Sequence, residues 1–255
     1  MRRTAVVALW AAFLAPVGLL LLWSLAGRWT WPAPLPSRWR MSAWTELTAT
    51  GGLGAAALRS FGIAGTVALV ATGLGFVTSR SAAQARSGDA LQWLLHLPFA
   101  VSPAVLGVGL EYSFLRAGLA GRTIGVALAQ GLLAYAYAVI LLSGLWNART
   151  RAYLEGAATL GATPRQAWIR VLLPIARPLV ILCVVQTFLI SWFDYALVLL
   201  IGGGRVVTLT LSLYQFLLSG DLRLAAASAL LLLLPPLVAL AAHARLRPIA
   251  LMSDP

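Results

Sequence analysis

The sequence predicts an all-α, polytopic membrane protein with about six transmembrane helices, and three observations carry that prediction. Of 255 residues, 60% are apolar and 10% charged, with a mean hydropathy of +0.87, against about 45–50% and about 25% in a soluble domain. No compact core hides that much apolar surface, so lipid is the solvent for the excess, which sets aside a water-soluble globule and a disordered chain alike. Six stretches are each long enough to cross a hydrocarbon core of ~30 Å, which takes ~20 helical residues. The charges fall in the breaks between those stretches rather than along one stripe.

The first stretch, 5–26, follows Arg2 and Arg3. It outruns the ~7–15 apolar residues of a secretory signal core, so it is expected to stay as a span. Residues 27–57 collect Trp29, Trp31, Pro32, Pro34, Pro36, Trp39 and Trp44; indole rings and arginine stems suit the headgroup zone, so this segment is expected along the outer interface. The second span, 58–78, carries Gly62, Gly65, Gly73 and Gly75, residues that serve close helix packing. In the third, 91–115, Pro98 and Pro103 are expected to bend or break the helix around Ser102. Glu111 lies 20 residues in, roughly 30 Å from its start, which is the outer boundary. The fourth span, 123–145, holds Gln130, Tyr135 and Tyr137, either lining a passage or hydrogen-bonding between helices. The fifth, 179–201, contains Asp194, with Gln186, Ser191, Trp192 and Tyr195 around it. An acid inside a span is a functional candidate; the alternative is an Asp194 solvated or paired near the outer interface. Residues 202–223 open on three glycines and then alternate from Val207 to Leu213; with no partner strand at hand, a short re-entrant or interfacial element is expected. The sixth span, 224–243, includes Pro235 and Pro236. His96 and His243, near span ends, share no ligand spacing.

The formal charge of +12 comes from 19 arginines and no lysine. Dispersed charges do not make a nucleic-acid surface, and a phosphate loop of the Walker type needs its Lys, so the chain is not itself a P-loop ATPase. The one cysteine, Cys183, excludes an intrachain disulfide and a multi-cysteine metal site. Six spans put both termini on one side. With the termini inside, arginines 2, 3, 80, 86, 149, 151, 165, 170, 177, 245 and 247 are cytoplasmic and the other eight are outside, a modest positive-inside bias. The whole chain, 1–255, then reads as a single transmembrane domain.

The connection 146–178 is the informative one. Ala and Leu favour a helix through Leu154–Leu160, and Gly161 falls at the place of a left-handed C-cap. Thr163 is an N-cap, with Pro164 at the first helical position and Gln166 three residues past the cap, the pattern of a capping box. The second helix is expected to run to Pro174, where a backbone donor is missing. The result is helix, glycine elbow, helix, all on the cytoplasmic side.

Glu155-Gly156-Ala157, Gly161 six residues after the Glu, and Leu173-Pro174 with the proline thirteen after that glycine resemble the EAA signature of binding-protein-dependent ABC importer permeases; Gly156 stands where that signature usually has Ala. Leu97-Pro98, Ser102-Pro103 and Gly107-x-Gly109 look like the third span of the same family, and the resemblance covers 58–243 well. It implies a subunit of the bacterial inner membrane, paired with a second permease copy or paralogue on two cytoplasmic ATP-binding subunits, and fed by an extracytoplasmic substrate-binding protein. ATP and Mg would then sit on the partner ATPase and no cofactor on this chain. The bent loop would be the coupling helix, with Glu155, Gly156, Ala157, Ala158, Leu160, Gly161, Thr163, Pro164 and Pro174 as its coupling residues. Small side chains at Ala157, Ala158 and Gly161 would let two backbones approach, and Glu155 could accept a charge-assisted hydrogen bond. The passage itself is assigned to Asp194, Trp192, Tyr195, Gln186, Gln130 and Ser102. The third-span pattern resembles the branch that carries polyamines, ferric iron, thiamine, sulfate or molybdate, with Asp194 tilting the choice toward a cation. The alternatives, an intramembrane enzyme or a structural or assembly membrane protein, leave this loop unexplained. An enzyme would also need a nucleophile–base pair or metal cluster, which two separated histidines and one cysteine do not supply.

Overall fold

A computed structural model of the chain describes residues 2–29, 33, 35–49, 52–84 and 90–250. Trp31, Pro32 and Pro34 of the Trp/Pro-rich segment, and Arg86 of the second expected cytoplasmic connection, lie outside the described residues, as do the side chains of Arg2, Arg3, His243, Arg245 and Arg247.

Twelve α-helices account for most of the described chain, with one short strand pair. Two compact units form, one from 1–60 with 207–255, the other Phe61–Val206. In the first, α1 (Arg2–Leu25) packs along α12 (Leu222–Ala250). Helix α2 (Ser42–Ala49) touches both, and α11 (Leu209–Leu218) lies on α12. Strands β1 (Ala26–Arg28) and β2 (Arg38–Trp39) pair antiparallel. The alternating stretch after Val207 is thus a helix. Thr208 caps it by accepting the Leu211 N–H, and Ser60 Oγ, far off in sequence, accepts the Leu209 N–H at 2.8 Å, so one local and one distant hydroxyl cap override the strand-like pattern.

The second unit takes most of α3 (Gly52–Gln84), then α4 (Ala90–Ala100), α5 (Pro103–Arg116), α6 (Thr123–Ser143) and α7 (Ala148–Thr159). A continuous helix follows over Pro164–Trp192, made of α8 (Pro164–Gln166), a π turn (Ala167–Leu172) and α9 (Leu173–Trp192); α10 (Ala196–Gly202) closes the unit. Helix α6 packs on α9, α10 and α4, and α5 lies on α10. Buried Ala138, Leu142 and Cys183 form one core cluster, and Leu145, Leu172 and Ala176 another. Thr72 donates to Cys183 Sγ at 3.6 Å or pairs with Thr187 Oγ1 at 3.2 Å, tying α3 to α9 within the apolar interior.

Among the described residues, four helices are long and apolar enough to cross a membrane: Gly52–Gln84, Thr123–Ser143, Pro164–Trp192 and Leu222–Ala242. A fifth arises if the broken pair Trp93–Ala100 and Pro103–Arg116 is counted as one span. That pair corrects the expected 91–115 crossing. It bends by 108° because Ser102 leaves the helix to cap α5, accepting the Val105 N–H, and Pro103 opens the new helix without a donor. The count of ~30 Å to Glu111 assumed a straight helix and does not survive the bend. Pro98 lies inside α4, and Pro235 and Pro236 inside α12, so these do not end their helices.

Two further boundaries move. The fifth helix begins at Pro164 rather than 179, and Pro174 does not interrupt it. The chain widens into the π turn, where the Leu173 N–H reaches back to the Trp168 carbonyl, so the missing donor of Pro174 falls where the hydrogen-bond register changes. At its far end the same helix stops at Trp192 instead of running to 201. Among the described residues, Gly75 is the second-span glycine that sits against another helix: a Cβ there would lie 2.6 Å from Ala138 Cβ, whereas at Gly62, Gly65 and Gly73 it would meet no described atom within 4 Å.

Candidate coupling elbow and polar helix break

The elbow follows from local backbone chemistry. Asn147 caps α7 by accepting the Thr150 N–H at 3.0 Å, so the helix starts at Ala148, six residues ahead of the expected Leu154. An Asn ahead of Ala-Arg-Thr-Arg is the signal that would have placed it. At the other end the Gly161 N–H donates to the Ala158 carbonyl and the Ala162 N–H to the Ala157 carbonyl, both at 3.0 Å, with Gly161 at φ +82°. That is the paired C-terminal closure that needs a left-handed residue, which glycine adopts without penalty. Two residues on, Gln166 N–H donates to Thr163 Oγ1 at 3.3 Å and Thr163 N–H to Gln166 Oε1 at 2.8 Å, with Pro164 at the first position: the capping box is formed.

The tip faces outward. Gly156, Ala158, Gly161, Thr163 and Pro164 are exposed, Ala157 is half-buried, and Leu160 is 89% exposed. A leucine so placed on a rigid turn is an apolar side chain left bare among the described residues. Glu155 lies 3.9 Å from Arg151 one turn back, an exposed pair that adds little to stability. Pro174, also exposed, stands well behind the tip on the fifth helix.

The base of the elbow is fixed by residues that the sequence reading passed over. Trp146, Trp168 and Phe76 form a ring cluster with centroids 6.0–6.4 Å apart. Trp146 Nε1–H donates to Ser79 Oγ at 2.8 Å, and the Arg80 guanidinium lies 5.7 Å from the Trp146 ring. Leu154 packs on buried Leu145, Leu172 and Ala176. Both arms of the elbow are therefore clamped to α3 through aromatic contact and one indole hydrogen bond.

The second site is the break between α9 and α10. Asp194 is not inside a helix, as its place in an expected 179–201 span required, but between two. Its carboxylate accepts the Leu197 N–H at 3.5 Å and the Val198 N–H at 3.2 Å, capping α10, and takes a third hydrogen bond from Gln130 Nε2 at 2.9 Å. The break has this cause: a short acidic side chain competes for backbone donors and starts a new helix. Gln130 is fully enclosed on α6, and its Oε1 accepts from Ser191 Oγ at 2.6 Å. Ser191, Gln130 and Asp194 thus form one chain of hydrogen bonds joining α6, α9 and α10. Trp192 is buried against Phe188 (5.6 Å, stacked) and edge-on to Phe61. Gln186 and Tyr195 are half-buried. Ser102 is brought elsewhere, as the exposed cap of α5, and Tyr135 donates to Thr78 Oγ1 at 3.1 Å. Nearby, α5 and α10 touch closely where Gly107 faces Leu200.

Both features lie within residues 71–248, which match the family described as binding-protein-dependent transport system inner membrane component. Two proteins described as molybdenum transport system permease protein ModB, one from Mycobacterium bovis (strain ATCC BAA-935 / AF2122/97) and one from Mycobacterium tuberculosis (strain ATCC 25618 / H37Rv), are each 33% identical to this chain over 197 residues, 71% of this chain and 75% of theirs. This chain therefore belongs to the family of binding-protein-dependent transport system inner membrane components, the multi-pass permease subunits of ABC importers.

Proposed function

We propose that this permease imports an oxyanion, molybdate in the first instance, by alternating access, and that the Ala157–Pro164 elbow seats in a cleft of a separate cytoplasmic ATPase. The observation that carries the coupling role is the elbow's construction: capped on both sides of Gly161, clamped at its base, and bare at Leu160. A turn held this firmly transmits a push instead of absorbing it. In this reading both termini are cytoplasmic, ATP and Mg belong to two partner ATP-binding subunits, and a second permease copy or paralogue completes the passage. An extracytoplasmic binding protein delivers the solute. The passage runs beside the break at 193–195, because irregular backbone at membrane depth is tolerated where it lines a cavity or is buried in protein.

The choice of an oxyanion rests on the likeness to two molybdenum transport system permeases and on the use to which Asp194 is put. Its carboxylate already holds two backbone N–H groups and the Gln130 amide, so it is not a bare charge awaiting a cation. The test is reconstitution of the permease with its ATPase and binding protein in vesicles. Binding-protein-stimulated ATP hydrolysis and uptake of molybdate over spermidine and thiamine are expected. Failure of any ATPase to copurify with the chain overturns the coupling reading; uptake of a cation in preference to molybdate overturns the substrate.

A further inference from the structure

We propose that the cavity at the root of α7 holds the phosphate headgroup of an anionic phospholipid of the cytoplasmic leaflet. The assignment of the leaflet rests on the orientation proposed above. The cavity, about 580 Å³, opens where the apolar helices α6 and α9 meet the polar elbow. Its lining divides by chemistry: Leu145, Ile175 and Leu179 come from the ends of the apolar elements, and Arg149, Thr150 and Tyr153 from the first two turns of α7.

The polar half is arranged for a phosphate. Arg149 Nε–H donates to Tyr153 Oη at 3.2 Å, and the guanidinium carbon lies 5.8 Å from the ring centroid, so the guanidinium is drawn to the phenol side of the cavity. Of its five N–H donors, that bond uses one; the two Nη groups keep the paired geometry that suits phosphate oxygens. The Tyr153 hydroxyl accepts from Arg149 and retains its own proton to donate. Among the described residues no acid lines the cavity, and the acid nearest in sequence on α7, Glu155, faces Arg151 instead. The apolar half selects among phosphates. A free phosphate leaves Leu145, Ile175 and Leu179 uncovered, whereas the glycerol and first methylenes of a phospholipid cover them at the depth where tyrosine and arginine settle in a bilayer. Leu160, the proposed ATPase contact, is eleven residues on, ~16 Å along the helix, so lipid and ATPase need not compete.

The test uses the delipidated full-length chain titrated with dioleoyl-phosphatidylglycerol in mixed micelles, with retained lipids counted by native mass spectrometry. One phosphatidylglycerol per chain is expected at the lowest concentrations. Arg149→Gln should weaken its retention about tenfold, the scale of a hydrogen bond to a charged group, while Arg151→Gln, with the same change of charge outside the lining, should stay within about twofold. Ile175→Trp, which fills the apolar half and leaves Arg149 in place, should also lose the lipid. Equal losses in Arg149→Gln and Arg151→Gln, equal retention of phosphatidylcholine, or displacement by millimolar inorganic phosphate would each overturn the site. The count involves no transport, so absence of a copurifying ATPase removes the coupling reading and leaves the lipid result standing. Labelling of the elbow from outside the cell overturns the leaflet and not the lipid.

Discussion

Two glycines of one elbow carry opposite predictions. Gly161 sits at φ +82° with open space where a Cβ would go, so a side chain there is penalised by the backbone conformation and not by a clash within the chain. Gly161→Val should cost about 1–3 kcal/mol of local strain, little for a bundle of spanning helices but enough to re-aim the tip. Normal insertion with loss of binding-protein-stimulated ATP hydrolysis is expected; wild-type coupling in a reconstituted complex would sink the assignment. Gly156, in mid-helix with nothing within 4 Å, is the contrasting case: Gly156→Ala should add about 0.5–1 kcal/mol of helix stability, read as slower amide exchange across α7 with transport intact. The left-handed cap at Gly161 was legible because capping geometry is written within six residues. Which of Gly62, Gly65, Gly73 and Gly75 touches a neighbour was not, since that depends on which face of α3 meets Ala138.

At the scale of elements, legibility followed the range of the interactions. The capping box at Thr163 and the break at Pro103 are local and could be read from the chain. The fifth helix was misjudged at both ends for reasons a linear reading lacks. At Pro174 a change of register absorbs the missing donor, and at Asp194 a carboxylate steadied by Gln130, 64 residues away in sequence, starts α10. The Trp146–Trp168–Phe76 cluster joins three elements and has no sequence signature beyond aromatic content. The polar break yields its own prediction. Gln130→Leu leaves Asp194 and Ser191 each short of a partner, a loss of about 1–3 kcal/mol per buried group, so the melting temperature in detergent should fall. Asp194→Asn, which keeps a side-chain acceptor for the start of α10, should fall less. Equal melting of Gln130→Leu and wild type would show that the network does not hold the break.

For the whole molecule, composition fixed the solvent but not the crossings. A 60% apolar chain must be in lipid, yet the expected third crossing is a pair of helices bent by 108°. Orientation is open to a direct test. Cys183 is fully buried, and Cys183→Ser puts a hydroxyl oxygen where the sulfur accepts from Thr72. On that background, cysteines at Leu160 and Leu218, 89% and 85% exposed, report opposite sides of the membrane in the proposed arrangement. An impermeant thiol reagent on intact cells should label Leu218→Cys and spare Leu160→Cys; the reverse pattern would turn the molecule over.

The π turn at Ala167–Leu172 has a consequence for how this protein can change over time. A widened turn holds one residue more than the α-helix around it, which sets the elbow about 100° further round the axis of the fifth helix than uninterrupted winding would. The aim of the tip is thus stored as a phase, in a residue count, and not in the identity of any side chain at the tip. Point substitutions along 167–172 leave that phase alone. A single deletion swings the tip to another bearing in one step; if the tip docks as proposed, an indel could part a permease from its ATPase while leaving every residue of the tip unchanged.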